Sequence, residues 1–262
     1  MNLTSLLYKR KNKKSQKMQS KVLLPLYIYP HPGAWDPLYT ALSAHPHLDF
    51  LIILNPNSGP GTAPWWPNAD YQREIPRLNA LPNVTTLGYV RATYCQRAHG
   101  DICSDICTYA ERGRADAGLK VQGVFVDETV NLYSKEMKRY LDGIDQRVKR
   151  EDAFGGEGLV IHNPGTAVNK GLAAPGPDVT VVVETSYAHF ASKEYQEWLA
   201  TSPYGRERAA YMVHSVPEGE VEGLTRALRK KAAYLFVTSA TSEFYEKFGD
   251  SWDKFVAVMA EP

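Results

Sequence analysis

The chain has 262 residues, 44% of them hydrophobic and 23% charged, enough apolar material for a sizeable core without disulfide or metal staples. The net charge of +1 conceals an uneven split, because residues 1–20 carry six basic side chains and no acid, leaving 24 basic against 29 acidic residues in the body. An acidic body excludes a nucleic-acid partner, and no stretch approaches the ~18 apolar residues of a membrane span.

The first twenty residues read as a disordered basic segment, with the folded body running from 21 to 262. Polar and basic side chains dominate there, and nothing offsets the entropy of ordering them. The apolar run Leu3–Tyr8 is too short for a signal-peptide core, and the basic cluster follows it instead of preceding it.

From Lys21 onward, short apolar runs alternate with amphipathic stretches. Strands are expected over 22–29, 49–55, 84–89, 121–127, 158–163, 179–184, 209–215 and 232–238. Each run is nearly continuous in Val, Ile, Leu, Phe or Tyr, the pattern of strands buried on both faces of a parallel sheet. Helices are expected over 134–150, 192–200, 218–231 and 242–260, with Ser134, Ser192 and Ser242 as N-caps. Eight strand–helix units with no linker between them predict an α/β fold, a single (β/α)8 TIM barrel. An open doubly wound sheet would need a Gly-rich phosphate turn after its first strand, and Tyr29-Pro30-His31-Pro32-Gly33-Ala34-Trp35 is not one. Cys95, Cys103 and Cys107 allow one disulfide at most, and no Cys/His set has zinc spacing, so no metal is expected.

In such a barrel the active site forms where the strands end. The polar residues that close the runs are Tyr29, Asn55, Tyr89, Asp127, Glu128, Asn163, Glu184, His214 and Ser215. Two carboxylates flanking a bond suit glycoside cleavage, one donating a proton and the other attacking or activating water. Asp127 and Glu128 are adjacent, so strand alternation sends them to opposite faces unless the strand is already ending there; one is expected to react and the other to tune it. No Gly-x-Ser-x-Gly elbow is present, which argues against acyl transfer. Trp35, Trp65, Trp66, Tyr94 and Tyr187 fall on loops of the same face and suit the apolar faces of sugar rings.

These residues sit in motifs that together resemble the spherulin-4-like glycoside hydrolases. The motifs are Pro25-Leu26-Tyr27-Ile28-Tyr29-Pro30, Gly33-Ala34-Trp35-Asp36-Pro37-Leu38 and Asn55-Pro56-Asn57-Ser58-Gly59-Pro60-Gly61. Gly88-Tyr89-Val90 with Thr93-Tyr94, Gly123-Val124-Phe125-Val126-Asp127-Glu128, Asn163-Pro164-Gly165-Thr166 and Val183-Glu184 complete them. The resemblance implies endo-hydrolysis of α-1,4-linked N-acetylgalactosamine and galactosamine polysaccharide of the galactosaminogalactan type. It implies catalytic carboxylates at Asp127, Glu128 and Glu184, and no organic cofactor. Substrate contacts are expected at Tyr29, Trp35, Asp36, Asn55, Tyr89, Asn163 and Tyr187. A polysaccharide is the expected partner of a monomer; with no signal peptide in view the sequence reads as cytoplasmic, whereas the resemblance implies an extracellular or cell-wall location, so localisation stays open. Retention, inversion and substrate assistance stay open at this stage. The rival reading is a non-catalytic saccharide-binding or spore/cell-wall structural protein on the same barrel.

Overall fold

The computed structural model describes residues 19–61 and 67–262. Eight parallel strands pair in chain order and close into a barrel: β1 (Lys21–Leu26), β2 (Phe50–Leu54), β3 (Val84–Arg91), β4 (Gly123–Asp127), β5 (Leu159–His162), β6 (Val179–Ser186), β7 (Ala209–His214) and β8 (Tyr234–Val237). The ring closes where Lys21 and Val22 register with Tyr234 and Leu235. This is the TIM barrel expected from the sequence, and closure excludes the open sheet. The apolar runs are buried on both faces because side chains fill the barrel inside and helices cover it outside.

The helical layer comprises α1 (Asp36–Ala44), α2 (Ala69–Asn79), α3 (His99–Ala115), α4 (Lys135–Lys149), α5 (Tyr187–Phe190), α6 (Lys193–Leu199), α7 (Val221–Leu228) and α8 (Trp252–Met259). In α4 the Ser134 hydroxyl accepts the Met137 N–H at 3.0 Å, and Leu141, Ile144 and Val148 face the sheet at helical spacing. Ser192 caps α6 in the same way, accepting from Tyr195 N at 3.2 Å. Against β3, α3 lies unusually close. A Cβ at Gly88 would stand 2.6 Å from the Tyr109 ring, so glycine is what lets that ring rest on the strand.

Three expectations need correction. Ser20, assigned to the unstructured segment, is buried, and its hydroxyl donates to Ala232 O at 2.9 Å, so order begins before Lys21. The connection from β5 to β6 holds no α-helix, only a short turn at Lys170–Leu172; Pro164, Pro175 and Pro177 lack the N–H a helix needs. The helix expected over 242–260 begins only at Trp252, so Ser242 caps nothing. The segment before it turns instead through Glu243 (φ +50°) and Gly249 (φ +59°), and its aromatic residues pack toward the barrel. Trp65 and Trp66 lie outside the described residues. No helix among the described residues is long and apolar enough to cross a membrane.

Candidate active site

The strand ends bring Asp127, from the last position of β4, together with Glu184, from β6, across the side chain of Asn163. The Asn163 amide nitrogen donates to Asp127 Oδ1 at 2.7 Å and to Glu184 Oε2 at 2.6 Å. Its oxygen accepts the Gly165 N–H at 3.0 Å, which fixes the nitrogen toward the carboxylates. Two oxygens held by one NH2 group lie roughly 5 Å or less apart. Tyr89 donates its phenol hydrogen to Asp127 Oδ2 at 2.7 Å, and Tyr245 donates to Glu184 Oε1 at 2.5 Å. Asp127 Oδ1 also accepts the Glu128 N–H at 2.9 Å. Upstream of Glu184, β6 shifts register against β7 between Val181 and Val183, a bulge that resets the alternation of side chains before the acid.

Electrostatics separate these groups from ordinary surface acids. Burial lifts the Asp127 carboxyl above the usual carboxylate range, against the opposing pull of Tyr89, the Glu128 N–H and Asn163. Burial also lifts Glu184, opposed by Tyr245 and Asn163 and reinforced by the charge of Asp127. The phenols of Tyr89 and Tyr245 are pushed up by burial and by the acids they face, so both stay protonated donors. Tyr27, just past β1, meets Tyr89 and Tyr245 edge-on at 5.7 and 5.5 Å, and burial raises its phenol too. Two half-buried carboxyls with raised proton affinity, their facing oxygens roughly 5 Å or less apart among locked donors, have the makings of a pair in which one holds a proton for a substrate oxygen and the other presents an anion to carbon. Among the described residues no three His, Cys, Asp or Glu side chains converge as metal ligands.

Glu128 behaves differently. Its backbone is left-handed at φ +53°, which ends the strand and turns the side chain toward Arg91, where the carboxylate is paired at 2.8 Å. The adjacent loop carries three more left-handed residues in a row, Thr93, Tyr94 and Cys95, at φ +47°, +52° and +61°. For non-glycine residues this conformation costs roughly 1–2 kcal/mol each. Backbone bonds tie the two segments: Ala92 N–H to Asp127 O at 2.9 Å and Tyr94 N–H to Glu128 O at 2.6 Å.

Of the expected substrate contacts, Tyr89 and Asn163 join the carboxylates. Trp35 is corrected: it is 2% exposed, and its indole N–H donates to Ile28 O at 2.9 Å, making it a loop anchor rather than a surface platform. Tyr29 belongs to a separate cluster, donating to Asp70 at 2.8 Å and accepting from Asn68 at 2.9 Å. The Asn55 side chain braces its own loop by accepting from Gly59 N at 3.3 Å. Asp36 opens α1 at the surface, and Tyr187 opens α5 half-buried against the core. His214, at the end of β7, stacks on Phe244 at 4.1 Å and is held below its usual pKa by burial. Sequence reading missed Tyr27, Tyr245 and Arg91 as site residues. Alternation with Tyr29 marks Tyr27 as its same-face partner, but Tyr245 was hidden inside a stretch read as helix.

Residues 21–259 match the family described as Spherulation-specific family 4. Spherulin-4 of Physarum polycephalum is 30% identical over 214 residues, which is 79% of this chain and 59% of that protein's length. Among solved structures, Aspergillus clavatus Sph3 in complex with GalNAc is similar with a TM-score of 0.87 and 38% identity, over 93% of this chain and 98% of that one. The GH18 chitinase ChiB from the chitin utilization locus of Flavobacterium johnsoniae, at TM-score 0.54 and 9% identity over 93% of each chain, shares the barrel alone. The match over nearly the whole folded body, with the Sph3 likeness, shows that the chain belongs to spherulation-specific family 4.

Proposed function

We propose that this chain is an endo-acting glycosidase that cleaves α-1,4-linked N-acetylgalactosamine and galactosamine stretches of a galactosaminogalactan-type polysaccharide. The observation that carries the reading is the pair Asp127 and Glu184 held on one Asn163 amide. The GalNAc complex of the Sph3 relative supports the sugar class.

In this reading Glu184 is the general acid, because burial holds its proton and only Tyr245 and Asn163 oppose it. Asp127, with three donors on its oxygens, is the better-stabilised anion and attacks the anomeric carbon. Glu128, turned out to Arg91, tunes the field at the rim. A separation of roughly 5 Å suits the double-displacement route, which retains anomeric configuration, and leaves too little room for an inverting water. Substrate assistance does not fit an α linkage. The 2-acetamido group then lies on the same ring face as the leaving oxygen and cannot reach carbon 1 from behind. Proton NMR of an early digest of partly deacetylated polymer is expected to show α-anomeric reducing ends first. First-formed β ends would remove the double-displacement assignment. No new ends, with the protein retained on the polymer, would replace the hydrolase with a saccharide-binding protein.

A further inference from the structure

The left-handed run Thr93, Tyr94, Cys95 contains no Gly, Asn or Asp, the residues that enter that conformation readily. Such a run persists only where its surroundings over-determine it, and such places concentrate at sites of function. Here the surroundings are visible. Gln96 N–H closes on Thr93 O at 2.9 Å, Tyr94 N–H on Glu128 O at 2.6 Å, and the Arg97 guanidinium holds Arg91 O at 3.1 Å and Asp105 at 2.6 Å. Cys95 packs against the core. What this bracing displays is the Tyr94 side chain, 59% exposed, while Tyr89 of the same loop's strand is buried. An exposed ring contributes little to packing, and a turn of this shape is built more easily with glycine. The side chain at 94 therefore serves something other than the fold.

We propose that Tyr94 is a saccharide platform. Its ring takes the apolar C–H face of a hexosamine unit neighbouring the one held at Asp127 and Glu184, and the left-handed turn exists to hold the ring there. The backbone bond to Glu128 fixes the platform to the segment that carries the reacting acid, so ring and carboxylate keep one geometry. This inference rests on the glycosidase reading for its substrate, and it assigns the unit beside the scissile bond.

The experiment compares the full chain with its Tyr94→Gly and Tyr94→Phe variants in thermal melting, in reducing-end release from partly deacetylated galactosaminogalactan, and in retention on the insoluble polymer. Glycine relieves the turn, so Tyr94→Gly is expected to melt about 2 °C or more above wild type. The same variant is expected to show a KM raised ~10-fold, with a smaller change in kcat and weaker retention. Tyr94→Phe keeps the ring and is expected within ~3-fold of the wild-type KM. A Tyr94→Gly protein with wild-type KM and retention overturns the platform, and one that melts no higher than wild type overturns the strained display. If wild type releases no reducing ends, the glycosidase reading falls separately. Retention then decides the platform, weakened binding of Tyr94→Gly supporting it and equal binding overturning it.

Discussion

Glu184 shows what burial does to the stability contributed by a single carboxyl. Its carboxyl is lifted above the ordinary range, so the folded state binds its proton more tightly than the unfolded chain does. That contribution is fully present below the unfolded value and is lost as pH rises through the raised one. Glu184→Gln is neutral throughout, so it is expected to gain in melting temperature over wild type at pH 7 and to converge with it near pH 4. A constant difference across that range contradicts the assignment of burial as the cause. Tyr245→Phe tests the same carboxyl from the other side. The phenol opposes the upward shift, so its removal raises the Glu184 value further and is expected to move the alkaline limb of the kcat/KM profile to higher pH. A limb that stays put or moves down contradicts Glu184 as the acid. Asp127, Glu184, Tyr89 and Asn163 were legible in the sequence because each sits where an apolar run stops. Tyr245 was not, because its neighbours repeat at a spacing a helix would also show, and only tertiary packing of Phe244 and Tyr245 at the mouth decides otherwise.

At the scale of elements, site geometry depends on how the strands end and on what presses against them. The β4 strand stops because Glu128 turns left-handed, which separates two adjacent acids into one aimed inward and one at the rim. Alternation within a strand is not what divides them, because the strand has already ended at Asp127, and the sequence alone could not say which acid goes where. On β3, the bare Gly88 lets Tyr109 of α3 lie on the strand and donate to Tyr89 O at 3.0 Å, steadying the backbone of the residue that grips Asp127. Gly88→Ala places a methyl inside the Tyr109 ring and is expected to cost about 1–3 kcal/mol, visible as a melting temperature lower by several degrees. An unchanged melting curve would mean that α3 moves away freely. Strands and the helices α4 and α6 were readable from periodicity and capping serines. The helix-free β5–β6 connection was masked by the expectation of a regular repeat, although its prolines and glycines were in view.

The whole molecule follows from one pattern, eight continuous apolar runs with no break between them, which the closed barrel buries on both faces. That closure sets all eight strand ends on one face, so residues far apart in sequence, such as Asn163 and Tyr245, reach the same carboxylate. Closure was legible from composition and order. The convergence of one amide on two acids was not, because it depends on the Gly165 turn and the β6 bulge, which leave no periodic trace. The proposed hydrolysis requires Asp127 and Glu184 to act together on a glycosidic bond. That joint action is tested by reducing-end release from galactosamine polymer by wild type, Asp127→Asn and Glu184→Gln, each variant first shown to unfold cooperatively and to be retained on the polymer as wild type is. Release by wild type and a fall of at least ~10³-fold in both variants are expected. Full activity in either folded variant would contradict it.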